Sequence, residues 1–223
     1  MRSYNQFCPA ARALDLLGER WTLLIVRELL FGPKRYTDLQ EGLPGIGPTL
    51  LSQRLRAAEA AGLIRRRRLA PPAASTVYEL TELGEDLRPL MAELFRWGMR
   101  NLGGPGEGEA IRASWLIAAT EATIDPAAIP DLDESYEFRV GDEVIAVTAG
   151  PSGVAARQGP AEAPAFTIQT DPVTFAGLGS QRITPDDAVR QGRMRVSGDS
   201  GAADRCGRLF RLFEAGTEAR AAA

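Results

Sequence analysis

Apolar residues in the first hundred positions recur at helical spacing, in four runs that glycine and proline separate. The pattern predicts helices at residues 9–17, 20–31, 36–41 and 48–61. The second run is apolar on nearly all sides, which is typical of a helix at the centre of a core. Gly62 follows the fourth run, at the position where glycine commonly ends a helix. This half of the chain is therefore predicted to be mainly helical.

The fourth predicted helix has two faces of different character. Leu51, Leu55 and Ala58 are spaced at i, i+4 and i+7 and are expected to pack inward. Another face carries hydrogen-bonding side chains, namely Thr49, Ser52, Gln53 and Arg56. A short helix, a glycine-containing turn and a helix with such a row form the arrangement that places a helix in the major groove of DNA. A solvated polar face is the alternative, since amphipathic surface helices share this pattern.

Two short strands with a basic arm follow directly. They are predicted at residues 63–69 and 76–80, joined by a turn at 70–75. Four consecutive arginines lie in the first strand: Arg65, Arg66, Arg67 and Arg68. Alternation along a strand places Arg65 and Arg67 on one side and the other two on the opposite side, so one pair can face phosphates. A charged edge strand that resists aggregation is the alternative, but the preceding helix-turn-helix favours a DNA-binding wing.

A final helix of the first half is predicted at residues 82–102. Thr81 is suited to cap its start, and Pro89 is expected to kink it. Its apolar residues form two neighbouring stripes, Leu83, Leu87, Leu90, Leu94 and Trp97 in one, and Met91, Phe95 and Gly98 in the other. Together the stripes are wider than one small winged domain needs. A dimer surface explains the surplus, and packing against a second domain is the alternative.

Four glycines and a proline occupy residues 103–108, which excludes a regular element there. We therefore predict a DNA-binding and dimerisation domain at residues 1–102, a linker at 103–110 and a second domain at 111–223. Residues 1–102 hold 15 basic and 11 acidic residues, a net charge of +4. Residues 103–223 hold 11 basic and 18 acidic residues, a net charge of −7. A basic first half favours a polyanionic partner.

The second half of the chain alternates apolar and polar residues, as half-buried strands do. Four strands are predicted, around Tyr136, Phe138 and Val140, around Ile145, Val147 and Ala149, around Phe166 and Ile168, and around Met194 and Val196. Helices are expected to begin at Asp171, Thr184 and Asp199. The predicted fold class is α+β, with a winged helix-turn-helix domain followed by an α+β domain that has a smaller sheet.

Composition narrows the function classes. There is no histidine, which removes Ser-His-Asp and Cys-His nucleophile pairs and the imidazole acid or base of many enzymes. No paired carboxylates or metal-ligand spacing stand out, so we predict no catalytic residue, no cofactor and no metal. Two cysteines and the lack of a long apolar run predict a reducing compartment, no membrane span and a cytoplasmic location.

An ordered series of motifs resembles the HxlR family of bacterial winged helix-turn-helix transcription regulators. The series includes Cys8-Pro9, Trp21-Thr22-Leu23-Leu24-Ile25, Arg27-Glu28-Leu29, Gly32-Pro33, Tyr36-Thr37-Asp38-Leu39, Leu43-Pro44-Gly45-Ile46, Leu51-Ser52-Gln53-Arg54-Leu55, Ala61-Gly62-Leu63-Ile64 and Leu80-Thr81. The resemblance implies homodimers that bind palindromic double-stranded DNA through the fourth helix and the wing. The predicted DNA contacts are Arg35, Tyr36, Thr49, Ser52, Gln53, Arg54, Arg56, Arg65, Arg66, Arg67 and Arg68. Gly47 departs from the serine that often begins the recognition helix, although glycine is tolerated as a cap.

Cys8 is a candidate redox sensor, because some members of that family sense oxidants or electrophiles with a cysteine near this place. The start of a helix favours a thiolate through the helix dipole and the free amide groups. Burial against the second helix would instead make Cys8 a structural residue, so both interpretations stay open. Cys206 lies among apolar helix residues and is predicted to be structural.

The order of elements over residues 115–213 resembles a sterol-carrier-protein-type domain. The resemblance implies an apolar cavity for a small hydrophobic ligand, lined by some of Trp115, Phe138, Phe166, Ile168, Phe175, Met194, Val196, Leu209 and Phe213. A filled core with an architectural role is the alternative. The whole chain is thus predicted to be a homodimeric transcription regulator that such a ligand modulates. A lipid carrier whose N-terminal module serves only dimerisation is the alternative function, and the basic wing argues against it.

Overall fold

The computed structural model describes residues 3–70, 74–99, 102–121, 124, 126–180 and 182–210. It divides into two compact units, residues 1–91 and 92–223. Residues 103–110 contain neither helix nor strand. A linker there stays a prediction, since the division between the units lies within a helix. No helix among the described residues is long and apolar enough to span a bilayer.

The first unit is helical with a small sheet. Its helices are α1 (Pro9–Leu17), α2 (Thr22–Leu29), α3 (Tyr36–Gly42), α4 (Pro48–Ala60) and α5 (Glu82–Glu85), and its strands are β1 (Lys34–Arg35), β2 (Ile64–Arg68) and β3 (Thr76–Leu80). β3 lies in the middle of the sheet and pairs antiparallel with both other strands. The four predicted helices and the hairpin are confirmed. α2 is two residues shorter at each end than predicted.

The core of this unit is built around α2 and α4. α2 supplies three side chains that are at most 2% exposed, namely Ile25, Val26 and Leu29. Leu51, Leu55 and Ala58 of α4 are buried as well, on the face predicted to pack inward. Each fully buried leucine contributes about 2 kcal/mol to folding. Gly62 follows the end of α4 with φ of +75°, a conformation that glycine adopts without strain.

The helix predicted at residues 82–102 is in fact two helices. α5 ends at Glu85, and α6 (Arg88–Met99) begins three residues later. Pro89 explains the break, because proline has no N–H to donate and its ring clashes with the carbonyl four residues earlier. That carbonyl belongs to Glu85, so the helix ends there rather than bending. Thr81 caps α5 as predicted, accepting a backbone hydrogen bond at 3.1 Å.

The second unit has an α+β fold, and the division between the units lies within α6. Its further helices are α7 (Ala113–Glu121), α8 (Pro172–Gly179), α9 (Pro185–Arg190) and α10 (Ser200–Leu209), with a short 3-10 helix at Pro126–Ala128, and its strands are β4 (Glu134–Val140), β5 (Glu143–Gly150), β6 (Gly153–Gln158), β7 (Phe166–Thr170) and β8 (Met194–Gly198). The strand order is β6-β5-β4-β7-β8. β4 and β7 are parallel, and the other pairs are antiparallel.

One face of this sheet forms the core with the helices. Its central side chains are at most 1% exposed: Tyr136, Phe138, Val140, Ile145, Val147 and Phe166. Ile117, Leu178 and Leu209 bring α7, α8 and α10 into the same core. The sequence did not indicate β6, because its apolar residues Val154 and Ala156 are small and only half-buried. The α+β class itself is confirmed.

A buried ion pair ties β4 to α10. Glu134 accepts hydrogen bonds from Arg205 Nε at 3.0 Å and from Tyr136 Oη at 2.7 Å. The Arg205 guanidinium holds the pKa of Glu134 below its usual value. Cys206 is buried, and burial raises the pKa of its thiol. A thiol that stays protonated is unreactive, in agreement with a structural role.

Candidate nucleic-acid interface

Polar side chains hold the starts of α3 and α4 together. Tyr36 Oη donates a hydrogen bond to the Pro48 carbonyl at 2.9 Å, and Ser52 Oγ donates to Tyr36 Oη at 3.3 Å. The Asp38 carboxylate accepts a hydrogen bond from the Arg35 N–H at 2.9 Å, which caps α3. The first turn of α4 is therefore fixed relative to α3, as a helix that enters a groove requires.

The polar face of α4 is open to solvent. Thr49, Gln53 and Arg56 are exposed, and Ser52 is half-buried beside them. In the part of the chain that the structure describes, the side chains of Thr49, Gln53 and Arg56 form no hydrogen bond or ion pair. These groups are consequently free to meet the donors and acceptors of base edges. Gly47 stands at the N-cap of α4 and has no side chain that could accept a capping hydrogen bond.

Arg54, which is predicted to contact DNA, has an ion-pair partner within the protein. Its Nη2 lies 2.7 Å from a carboxylate oxygen of Glu19, and its side chain is 19% exposed. Arg54 stands one residue from Gln53, and a helix turns by about 100° per residue. Its side chain therefore points away from the exposed row and binds the segment between α1 and α2.

The wing arginines alternate as predicted, and one pair shares a carboxylate. Arg65 Nε and Arg67 Nε lie 2.8 and 2.7 Å from the two oxygens of Glu79 on the neighbouring strand. The Arg67 hydrogen bond contributes most to lowering the pKa of Glu79, so this carboxylate is charged at neutral pH. The arginine side chains remain 66% and 47% exposed. Among the described residues the terminal nitrogens of both guanidinium groups form no hydrogen bond of their own, so they are available to another partner.

The other wing arginines lie on the opposite side of β2. Arg66 forms a two-point ion pair with Glu59 of α4, at 3.0 and 2.8 Å, and lowers the pKa of that carboxyl. Arg68 is exposed and has no partner among the described residues. Arg35 Nε donates to Ser75 Oγ at 3.1 Å, beside the turn of the wing. Residues 71–73 of that turn lie outside the described residues.

An apolar stripe runs along α6, which we define as Leu90, Leu94 and Trp97. These residues recur at i, i+4 and i+7 and are 45%, 41% and 65% exposed. Met91, from the neighbouring stripe of the prediction, is buried at 1% exposure. The apolar residues of α6 that are not needed for the core therefore form an exposed surface in the single chain.

Cys8 stands at the N-cap of α1 and is a free, half-buried cysteine. Its carbonyl accepts the Arg12 N–H at 3.0 Å, whereas its thiol makes no capping hydrogen bond. The adjoining Phe7 is fully exposed. The predicted location at a helix start is confirmed, and solvent reaches this cysteine.

The predicted ligand-pocket residues mostly form the filled core of the second unit. Phe138, Phe166, Ile168, Met194 and Leu209 are buried, and Trp115 and Phe175 are half-buried. Three edge-on contacts surround the Phe138 ring, whose centroid lies 6.4 Å from that of Phe166, 6.0 Å from that of Phe175 and 5.9 Å from that of Phe210. Val196 is 43% exposed, because it lies on edge strand β8, and so does not line the interior. Phe213 lies outside the described residues.

One apolar cavity beside the described core is small. It measures about 20 Å³ and is lined mainly by Leu116, Ile117, Phe138, Phe175, Leu178 and Phe210. That is room for about one water molecule, whereas a drug-sized ligand needs about 300 Å³ or more. This cavity alone is too small for such a ligand, and a preformed apolar pocket stays a prediction because Phe213 lies outside the described residues. Among all the residues that the structure describes, no group of three His, Cys, Asp or Glu side chains could bind a metal.

Comparison with known proteins agrees with the geometry of the first unit. The sequence profile of the HxlR-like helix-turn-helix family matches residues 16–104. YvaP, a helix-turn-helix transcriptional regulator of Bacillus subtilis, is 33% identical over 94 residues, which are 42% of this chain and 87% of YvaP. This chain belongs to the HxlR-like family.

Other HxlR-like relatives cover the same part of the chain. YodB, a transcriptional regulator of Bacillus subtilis, is 35% identical over 94 residues, 42% of this chain and 84% of YodB. A Mycobacterium tuberculosis regulator is 44% identical over 101 residues, 45% of this chain and 63% of that protein. The reduced form of YodB is similar in structure, with a TM-score of 0.38, 33% identity and coverage of 46% of this chain and all of YodB.

The second unit of this HxlR-like protein matches a different family. The profile of the SCP-2 sterol transfer family covers residues 116–211, so the C-terminal domain is SCP2-like. The chain as a whole is a DNA-binding transcription regulator of the HxlR type with an SCP2-like domain attached.

Sequence reasoning missed the carboxylates of the interface, namely Glu19, Glu59 and Glu79. Glu79 lies directly opposite Arg65 in the hairpin register. Opposite charges in directly paired positions commonly bind each other, so the register of the wing would have revealed this pair. Glu19 and Glu59 approach their arginines from other elements, and no local pattern identifies them.

Proposed function

We propose that this HxlR-like regulator binds palindromic operators as a homodimer, with α4 in the major groove and the wing on the sugar-phosphate backbone. The exposed row Thr49, Gln53 and Arg56 beside the arginine-bearing hairpin is the observation that carries this proposal. No carrier function needs a hydrogen-bonding helix face next to a basic wing. Because DNA is the partner, we continue to expect a cytoplasmic location in a bacterium.

The proposed contacts divide into two kinds. Thr49, Gln53 and Arg56 bind base edges, since hydrogen bonds to base edges carry sequence information. Contacts to phosphates come from the groups around them: Arg35, Tyr36, Ser52, Arg65, Arg66, Arg67 and Arg68. Arg54 is left out because its ion-paired side chain is only 19% exposed, whereas the ion-paired arginines of the wing remain about half exposed or more. Tyr36 and Ser52 also position α4 through their own hydrogen bonds.

Gln53→Ala and Arg56→Ala are expected to change which DNA sequences the protein prefers. Each loses about 1–3 kcal/mol of discrimination at the base pair that the side chain contacts. Operator fragments with single base changes, titrated against each variant in an electrophoretic mobility shift assay, measure this loss. A phosphate contact would instead weaken binding to all sequences equally.

Arg54→Ala is the matched control, since it removes a positive charge from the same helix. It is expected to keep the base preference, because its guanidinium is bound to Glu19. If Arg54→Ala altered the base preference while Gln53→Ala and Arg56→Ala did not, the proposed orientation of α4 would be wrong.

We further propose that oxidants or electrophiles control DNA binding through Cys8. Its half-buried thiol stands at a helix N-cap where solvent reaches it, and a cysteine must be accessible in this way to react with an oxidant. YodB, 35% identical to this chain, has been solved in a diamide-treated and a quinone-bound form. Those two forms are forms of YodB, and they support testing the same chemistry in this chain.

Cys8→Ser is expected to bind operator as the wild type does, but to keep that affinity when diamide or a quinone is added. The wild type should lose or gain affinity under the same treatment. A mobility shift titration with and without oxidant measures both. Cys206→Ser serves as the control, since Cys206 is buried. Equal responses of wild type and Cys8→Ser would exclude Cys8 as the sensor.

The third part of the proposal is that a hydrophobic ligand modulates DNA binding through the SCP2-like domain. The match to the SCP-2 family favours it, but the described core has a cavity of only about 20 Å³. An apolar effector would have to part the helices α7, α8 and α10 to enter. A ligand shifts DNA affinity only by the difference in its affinity for the two DNA-binding states.

A further inference from the structure

The face of the second unit's sheet that is opposite the core presents a row of polar side chains. Arg139 of β4 pairs in register with Gln169 of β7, and Gln169 pairs with Arg195 of β8. Because neighbouring strands lie about 4.8 Å apart, the Cα atoms of the two arginines are about 10 Å apart, with the Gln169 amide between them. All three side chains are exposed.

A groove of about 640 Å³ lies over this row. Thr167 and Ser197 contribute hydroxyl groups to its lining, and Val189 contributes exposed apolar surface. The volume falls within the range of about 300–1,000 Å³ that is usual for small-molecule sites. The groove belongs wholly to the second unit and is separate from the filled apolar core.

The charges of the groove are all positive. None of its lining residues is acidic, although residues 103–223 hold 18 acidic and 11 basic residues. Arg195 has no side-chain partner in the described part of the chain. Arg139 Nε bonds the buried Glu137 at 2.7 Å, and that carboxylate also accepts the Ala161 N–H at 2.9 Å. Glu137 is thus occupied from within the protein, and it fixes the Arg139 guanidinium at the groove.

We propose that this groove binds a small amphipathic anion, with a phosphate or carboxylate head between Arg139 and Arg195 and an apolar tail against Val189. Guanidinium groups bind such heads through charge-assisted hydrogen bonds, and Gln169 adds a neutral donor between them. This site goes beyond the proposed DNA-binding function and does not depend on it.

Isothermal titration of the full chain with decyl phosphate, below its critical micelle concentration, tests the site. Three further compounds are titrated in parallel. Decanol has the apolar tail without a charge, decanoate has a carboxylate head in place of the phosphate, and inorganic phosphate has the charge without a tail. We expect decyl phosphate and decanoate to bind, and decanol and inorganic phosphate to bind at least about ten-fold more weakly, or 1.4 kcal/mol. Arg195→Ala should weaken decyl phosphate binding by at least about ten-fold. Folding should be unaffected because Arg195 is exposed and unpartnered among the described residues.

Arg208→Ala is the matched control, an exposed arginine of α10 that does not line the groove. It should bind decyl phosphate as the wild type does. The proposal would be overturned if decyl phosphate did not bind, or if Arg195→Ala and Arg208→Ala lost equal affinity. Decanol that bound as tightly as decyl phosphate and was unaffected by Arg195→Ala would overturn it too, and would place the ligand in the core. Inorganic phosphate that bound as tightly as decyl phosphate would indicate an adventitious ion only.

Discussion

Replacing Leu94 and Trp97 by aspartate is expected to convert the protein into a monomer and to lower its affinity for a palindromic operator by more than about 100-fold, or 2.7 kcal/mol. Both residues belong to the exposed apolar stripe of α6. In a two-fold symmetric dimer each change occurs twice, so four carboxylates would enter an apolar interface without partners. A monomer contacts only one half-site and therefore loses most of the binding free energy.

Sedimentation velocity at about 10 µM protein, together with a mobility shift titration, measures both effects. Leu132→Asp is the control, because Leu132 is 51% exposed and lies outside α6. It should stay dimeric and bind the operator normally. A wild-type monomer at this concentration, or a dimer that persists in Leu94→Asp/Trp97→Asp, would assign the dimer surface to another part of the chain.

The second large effect is expected at the wing. Changing Arg65 and Arg67 to alanine together with Glu79→Gln should weaken binding to every duplex and reduce the salt dependence of the affinity. Four phosphate contacts are lost per dimer, so the slope of log K against log salt should become less steep by about 3 to 4 units. Glu79→Gln belongs in the variant because Glu79 would otherwise remain as an unpaired carboxylate, 9% exposed, at the wing.

Mobility shift titrations between 50 and 300 mM potassium chloride give these slopes. Arg157→Ala/Arg208→Ala removes two positive charges from the second unit and should leave the slope unchanged. If that variant reduced the slope as much as the wing variant, overall charge would account for the effect. A wing variant with the wild-type slope would leave the charged hairpin with an architectural role.

Periodicity predicted the first unit well because its signals are local. The inward positions Leu51 and Leu55 follow from helical spacing alone. The alternation of the wing arginines follows equally from the period of a strand. The stop at Gly62 follows from the conformations open to glycine. Each of these features depends only on residues that are close to one another in the sequence.

Other features depend on contacts between distant residues, which spacing does not contain. Arg54 and Glu19 are 35 positions apart, so nothing near Arg54 indicated that its side chain binds Glu19. Arg205 and Glu134 are 71 positions apart. Whether a core leaves space for a ligand depends on how all its side chains pack together. Inward spacing identified Phe138 and Phe166 as core residues, but it cannot give the volume between them.

Selection of genomic DNA fragments by the purified full chain, followed by footprinting of the selected duplex, tests the central claim most directly. The account predicts enrichment of fragments with an inverted repeat, protected over two half-sites whose centres lie about 10–10.5 base pairs, or a multiple of that, apart. Binding should weaken steeply as salt is raised. A purified protein that prefers no duplex over random DNA at moderate salt would contradict it.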